Sequence, residues 1–126
     1  MYQSLSIFQT AGAMAKNAGA RQAIIARNVA NADTPGYRAR TIPDFASSYN
    51  AAPASQLKMT RAGHLSQGAN NSAPTETYTT AEPAPNGNSV SIEEEMLNAV
   101  KVSNENTRAI AIYRHGLNVI RMALGR

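Results

Sequence analysis

The chain has no cysteine and no tryptophan among its 126 residues. Without cysteine it cannot form disulfide bonds, thiol nucleophiles or zinc sites with cysteine ligands. Large apolar residues are also scarce, since Leu, Ile, Val and Phe together contribute 21 residues while alanine alone contributes 23. Such a composition does not predict a large self-sufficient core. Because the net charge is only +4, it indicates a partly ordered chain rather than a wholly disordered one.

Long apolar runs are missing as well. The longest, such as residues 23–26, fall far short of the roughly 18 residues that a membrane span needs. A cleaved signal peptide begins with charged residues followed by an apolar block, and the start of this sequence does not have that pattern. We therefore expect no direct membrane span, and we expect any export from the cytoplasm to use a route without such a signal.

Groups with catalytic potential are few and far apart. His64 and His115 do not stand at metal-ligand spacing from each other or from a pair of carboxylates. Asp33 and Asp44 are the only aspartates, and both lie in turn-like stretches where they make no convincing acid–base pair. The glycines are dispersed and form no phosphate-binding loop. We predict that the protein is not an enzyme and that it has no catalytic residue, metal site or cofactor.

The charge balance is basic, with 12 Lys and Arg against 8 Asp and Glu. The nine arginines are scattered, without a run of basic residues or an aromatic-rich strand that would stack bases. We favour solvated faces and salt bridges between subunits. A basic helical module that binds nucleic acid or an acidic protein partner is the alternative, and salt-sensitive DNA binding would reveal it. A membrane-surface helix is a weaker third possibility, because the glutamates at 93–95 and 105 would repel anionic lipid.

The C-terminal segment, residues 91–126, predicts a long helix. Ser91 followed by Glu94 fits a capping box, and the glutamates at 93–95 suit the positive end of a helix dipole. From position 92 to position 124, alternating steps of four and three residues trace a heptad stripe that is weak in its middle. The rest of the chain offers little to pack against, so we expect partners in other subunits. The assembly seam predicted on this helix comprises Ile92, Met96, Ile110, Tyr113, Leu117, Ile120 and Leu124.

The N-terminal segment, residues 1–33, also has helical character. A stripe from position 8 to position 32 carries mostly small residues, which let backbones approach closely but bury little area. Gly12 and Gly19 each lower helix stability by about 1 kcal/mol relative to alanine, so the helix alone is marginal in water. We expect the two terminal helices to pack against each other or against copies of themselves. The seam predicted here includes Phe8, Ile25 and Val29.

The middle of the chain, residues 46–90, is polar and poor in large apolar side chains. Such a segment cannot offset the entropy of ordering its backbone, so we predict a largely flexible region with at most a short strand or hairpin around residues 57–65. The predicted fold is therefore mainly α. Two long terminal helices form an antiparallel, coiled-coil-like pair, and a flexible or weakly β segment joins them.

Residues 34–45 begin with a sharp turn and continue as an extended segment. Pro35 disfavours the α region at Thr34, and Pro35-Gly36 fits the two central positions of a type II turn, where glycine accepts a positive φ. The turn motif that we single out comprises Asn31, Asp33, Thr34, Pro35, Gly36 and Tyr37.

The stretch from residue 28 to residue 40, Asn-Val-Ala-Asn-Ala-Asp-Thr-Pro-Gly-Tyr-Arg-Ala-Arg, resembles the signature near the N-terminus of flagellar rod and hook proteins. With Phe45 shortly after it, this form resembles the proximal rod proteins of the basal body. Residues 88–96 and, less specifically, residues 57–65 resemble the same proteins. The chain departs from the pattern at residues 41–43, Thr-Ile-Pro, where an acidic residue often follows.

This resemblance implies a structural subunit of the bacterial flagellar basal-body rod, and hence a role in motility. It implies helical self-assembly through the terminal helices and transmission of torque across the periplasm. It further implies export through the flagellar type III apparatus without a cleaved signal peptide. The implied partners are copies of the chain, other rod proteins, the adapter protein between the rod and the MS ring, and the export gate, with no nucleic acid and no cofactor.

Overall fold

The structure, a computed structural model, describes residues 2–51 and 75–125. It contains two long terminal helices with a short helix and two short strands between them, so the predicted mainly α fold with a weakly β middle is confirmed. The expected hairpin at residues 57–65 lies outside the described residues. The elements are α1 (Tyr2–Ala30), β1 (Arg40–Thr41), α2 (Phe45–Ala51), β2 (Thr77–Tyr78) and α3 (Ile92–Ala123).

The two long helices pack side by side in antiparallel orientation. Near the beginning of α1, the ring of Phe8 meets that of Tyr113 edge to face, with 5.0 Å between centroids. Near the end of α1, Asn28 donates a hydrogen bond to Glu95, which lies in the first turn of α3. The start of each helix therefore lies beside the end of the other, and the expected antiparallel pairing is confirmed.

The core between the helices is small and combines alanine with Ile and Val side chains. Ala18, Ile25 and Val102 form its buried cluster, with Ala99 packed against it. A methyl group added at Gly116 would lie 3.1 Å from the Phe8 ring. The two helices are therefore also close together where the start of α1 meets the later part of α3. Because alanine buries little apolar area, Ala18 and Ala99 contribute less to this core than Ile25 and Val102.

The face of α3 that contacts α1 carries Glu95, Val102 and Ala109, which are buried and follow one another at intervals of seven residues. This face is displaced from the predicted heptad stripe. Ile92 and Met96, where the stripe begins, are exposed, and Met96 retains 63% of its accessible surface.

The predicted stripe reaches the helix interface near its C-terminal end, where Leu117 and Ile120 are half-buried. Two other stripe positions also contact α1, since Ala99 packs against the buried cluster and Tyr113 meets the Phe8 ring. The predicted stripe therefore contributes to the contact within the chain at separate positions along α3, while its first residues lie on the outer surface.

The short helix α2 and the strand pair lie where we expected extended and flexible chain. Asp44 caps α2, because its carboxylate accepts hydrogen bonds from the backbone N–H of Ser47, at 3.4 Å, and from the Ser47 hydroxyl. The hydroxyl contact holds the pKa of Asp44 below its ordinary value. The strands β1 and β2 pair antiparallel, with Arg40 opposite Tyr78. This pairing brings the region after residue 75 back to the segment that follows the turn.

Candidate functional site at the junction of the terminal helices

The turn predicted after α1 is present. The backbone N–H of Tyr37 donates to the carbonyl oxygen of Thr34 at 3.3 Å, and Gly36 has a φ of +71°. Positive φ at the third position is what a type II turn requires, and glycine adopts it without steric cost. The φ of Gly36 therefore has the sign that the predicted type II turn requires.

The side chain of Asn88 holds this turn against the segment that leads into α3. Asn88 is only 4% exposed, and its Nδ2 donates to the carbonyl oxygens of Asn31, Ala32 and Thr34 at 3.0, 2.7 and 2.9 Å. These carbonyls belong to the turn that follows the end of α1 at Ala30, so Asn88 binds that turn from a distant part of the chain. Its Oδ1 accepts from the Val90 N–H at 2.8 Å.

Sequence analysis did not select Asn88 as a site residue. Its one signal in the sequence is its position at the start of residues 88–96, the stretch that resembles the opening of the C-terminal helix in rod proteins. The contact partners of Asn88 lie more than fifty residues away, so no local spacing rule could indicate them.

The backbones on the two sides of the junction also touch directly. The Gly36 N–H donates to the Asn86 carbonyl at 3.0 Å, and the Ser89 N–H donates to the Tyr37 carbonyl at 3.1 Å. Gly87 has a φ of +80°, and a Cβ there would lie 3.3 Å from the Cα of Gly36. Two glycines with positive φ therefore face each other, and the contact leaves little room for a side chain at position 87.

Asn28 connects α1, the segment after the turn and α3 through one buried side chain, which is 1% exposed. Its Nδ2 donates to the Arg40 carbonyl at 2.7 Å and to Glu95 Oε1 at 2.8 Å. Its Oδ1 accepts from the Arg40 N–H at 3.1 Å and from the Tyr37 hydroxyl at 3.4 Å. Every hydrogen-bonding position of this amide is thus used, as buried polar groups require.

Glu95 is the buried carboxyl group of the junction. Burial raises the pKa of Glu95, the hydrogen bond from Asn28 lowers it in part, and the neighbouring charge of Glu94 raises it further. The first turn of α3 is also capped, since Ser91 Oγ accepts from the Glu94 N–H at 3.4 Å. The hydroxyl of Ser91 in turn lies 3.2 Å from a carboxylate oxygen of Glu93.

Exposed ion pairs cover the outside of the junction. Glu76 accepts from Arg27 at 3.5 Å and from Arg40 at 3.0 Å. The guanidinium of Arg38 lies over the Tyr78 ring, 4.7 Å from its centroid. Exposed pairs of this kind contribute little each, typically below about 1 kcal/mol, so the buried amides Asn28 and Asn88 carry most of the junction's specificity.

The predicted site residues fall into two places. Those of the turn motif all lie at the junction, where Asn31 and Thr34 supply carbonyl oxygens to Asn88 while Asp33 and Pro35 are exposed. Those of the predicted seam are spread along the helices. Ile25 is buried and Phe8, Leu117 and Ile120 are half-buried, whereas Val29, Ile92, Met96, Ile110, Tyr113 and Leu124 are exposed.

The junction is formed by buried amides, backbone hydrogen bonds and exposed ion pairs. Across residues 2–51 and 75–125, no three His, Cys, Asp or Glu side chains gather as metal ligands would. None of the helices in that part of the chain is long and apolar enough to cross a membrane. The arrangement of buried amides, a capped helix end and two facing glycines can fix the direction in which the chain leaves α1.

Comparison with known proteins agrees with the motif. A family model described as flagella basal body rod protein matches residues 8–38, which run from near the beginning of α1 through the turn. No curated protein matches the chain. The matched segment includes Asn28 and the whole turn motif, which are the residues that form one side of the junction. In this segment the chain is therefore similar to flagellar basal body rod proteins.

Proposed function

We propose that the chain is a subunit of the proximal part of the rod, that it assembles helically with copies of itself and with other rod proteins, and that it transmits torque across the periplasm. The family match supports a structural rod component. Export through the flagellar type III apparatus without a cleaved signal peptide, and contacts with the export gate and with the adapter protein at the MS ring, belong to the same proposal.

The observation that carries this proposal is the apolar outer surface of α3. Apart from the buried Val102, most of the larger apolar side chains of α3 are exposed rather than packed against α1. Met96, Leu97 and Val100 each retain more than 60% of their accessible surface. Extended exposed apolar surfaces on soluble chains indicate interaction sites, so this surface supports packing against neighbouring subunits.

The junction supports the same function in a different way. In a helical assembly each subunit must direct its middle segment outward at the same angle, because an error repeats at every contact. Asn28 and Asn88 hold the segment after the turn against both helices. The direction of the chain at residues 36–40 is thereby set inside each subunit rather than by its neighbours.

The first experiment is deletion of the gene, followed by electron microscopy of basal bodies. We expect loss of the rod and of every part distal to it, with recovery when the wild-type chain is restored. Normal rods after deletion would contradict the proposed function. Salt-sensitive binding of the purified chain to arbitrary DNA would favour the basic-module alternative instead.

The second experiment tests the exposed seam with Met96→Asp. Because Met96 is exposed in the subunit, the variant should keep wild-type helicity by circular dichroism but fail to assemble, since an unpaired charge buried between subunits costs several kcal/mol. Asn118→Asp places the same side chain at an exposed position of α3 outside the seam and is the matched control. Equal effects of the two changes on motility would contradict the seam.

A further inference from the structure

Asn86 is the one asparagine of the chain that is followed by a glycine. In such a pair the backbone nitrogen of the glycine can attack the side-chain carbonyl carbon of the asparagine, because glycine has no Cβ to hinder the approach. A cyclic imide forms, and the proton of the attacking nitrogen leaves with the side-chain amide group as ammonia. Water then opens the ring to aspartate or isoaspartate. Since Asn86 is exposed, water has access to this pair on the surface of the junction.

The folded junction holds the pair in a geometry that prevents ring closure. The Gly87 N–H donates to the Ala84 carbonyl oxygen at 2.7 Å, which closes a β-turn with Pro85 and Asn86 at its centre. Asn86 has no positive φ, so the turn is type I rather than type II. In a type I turn ψ at this position is about 0°, which places the Gly87 nitrogen beside the backbone nitrogen of Asn86. The imide ring requires that nitrogen beside Cβ instead, so the backbone must rotate before the reaction can occur.

Further contacts on both sides of the pair resist this rotation. The Ala84 N–H donates to the Asn88 carbonyl at 2.8 Å, and the Asn86 carbonyl accepts from the Gly36 N–H at 3.0 Å. The side-chain Oδ1 of Asn86 accepts from the Asn88 N–H at 3.0 Å. This last bond makes the side-chain carbon more electrophilic, but an intramolecular attack also needs the reacting atoms to be aligned. Geometry therefore outweighs the activation as long as the junction is closed.

We propose that Asn86 is a modification site that deamidates when the junction is open and is protected when the junction is closed. A reaction that needs a locally open form proceeds in proportion to the fraction of chains that are open. Closure depends on Asn88, whose buried Nδ2 binds the turn after α1. Chains that remain unfolded accumulate the modification, and folded chains keep the amide.

The isoaspartate product changes the backbone as well as the charge. Its chain continues through the former side-chain carbon, so the backbone gains a methylene between positions 86 and 87, and the former carbonyl of Asn86 becomes a carboxylate. The hydrogen bond from the Gly36 N–H and the close approach of Gly87 to Gly36 both depend on the native backbone. Isoaspartate at position 86 consequently prevents the junction from closing, whereas aspartate adds a charge and keeps the backbone.

The first test measures deamidation at position 86 in the purified full chain by peptide mapping with mass spectrometry. The chain is incubated in urea and in native buffer, at a concentration where it is helical by circular dichroism. A synthetic peptide of residues 82–90 in the same buffers corrects for the effect of urea on the chemistry. Asn86 in the folded chain should react at least about tenfold more slowly than in the peptide, and in urea it should react at the peptide's rate. Equal rates in the folded chain and the peptide would overturn the proposal.

A variant that opens the junction makes the test specific. Asn88→Ala leaves the reactive pair unchanged but removes the side chain that binds the turn, so deamidation at Asn86 in native buffer should be at least about fivefold faster than in the wild type. Asn104→Ala is the matched control, because Asn104 is exposed on α3, and it should react at the wild-type rate. If the Asn88→Ala chain deamidates no faster than the wild type, closure of the junction does not control the reaction.

The effect of the product is tested with chains that are aged in urea and returned to native buffer. Aged wild-type chain should unfold at a lower urea midpoint than fresh chain. Asn86→Gln aged in the same way should match its own fresh sample, because glutamine does not readily form the imide. Asn86→Asp is the control for charge alone and should be more stable than the aged chain. An aged wild-type chain that carries isoaspartate at position 86 and unfolds like fresh chain would contradict the proposed effect on the junction.

Discussion

Replacing Asn88 by alanine should remove the hydrogen bonds that hold the turn after α1 against the segment before α3. The amide has two N–H hydrogens directed at three carbonyl oxygens, and its own oxygen accepts from the Val90 N–H. The side chain therefore supplies about three full hydrogen bonds. At roughly 1 kcal/mol net for each buried bond, Asn88→Ala should lower the free energy of unfolding by about 3 kcal/mol.

Asn88→Asp should be worse than Asn88→Ala, although its shape is nearly unchanged. A carboxylate cannot donate, so it would face three carbonyl oxygens and add negative charge at the negative end of the α1 dipole. A contact that depended on shape alone would rank the two substitutions in the opposite order. The order of the two variants therefore tests the hydrogen-bonding role separately from packing.

The assay is urea unfolding followed by far-UV circular dichroism, at a protein concentration where the wild type is helical. Asn104→Ala serves as control, because Asn104 is exposed on α3 and its replacement should change stability by less than about 1 kcal/mol. If Asn88→Ala unfolds at the wild-type urea midpoint, or if Asn88→Asp is the more stable variant, the assigned role of Asn88 is wrong.

Three further predictions concern the junction and the helix pair. Because burial raises the pKa of Glu95 above 4.5, the folded chain binds more protons than the unfolded chain between the two pKa values, and stability falls as pH rises through that interval. Glu95→Gln should remove this fall and stabilise the chain at neutral pH, as urea titrations from pH 4 to pH 8 would check. Gly36→Val, strained by about 1–2 kcal/mol at positive φ, should be exported yet build no rods, and Gly36→Asn should be milder by electron microscopy. Arg21→Met should cost about 1–2 kcal/mol in unfolding free energy by leaving half-buried Glu105 unpaired, and adding Glu105→Gln should recover part of it.

The long helices and the turn follow from local rules and could be predicted from the sequence. Ser91 with the glutamates after it indicated the start of α3, which the structure has at Ile92. Pro35 and Gly36 indicated the turn that Tyr37 closes with its hydrogen bond to Thr34. Each of these signals depends on residues within four positions of one another, where steric and capping preferences act directly.

The face of α3 that pairs with α1 could not be predicted in the same way. Glu95 and Ala109 lie on that face and are buried, although neither is a large apolar residue. Glu95 is tolerated there because Asn28 donates to it, and this partner lies 67 residues earlier in the chain. Hydrophobic periodicity therefore indicated the apolar stripe of α3. The face that packs against α1 is the neighbouring one, which carries Glu95, Val102 and Ala109. The stripe remains our prediction for contacts between subunits.

The distance in sequence between Asn88 and its carbonyl partners also has a consequence for folding. The turn after α1 forms its own local hydrogen bonds, but its contacts with Asn88 come from a residue more than fifty positions later in the chain. Closing so large a loop has an entropic cost. The turn is therefore held against the start of α3 only when the two long helices have come together, and its orientation depends on the complete fold.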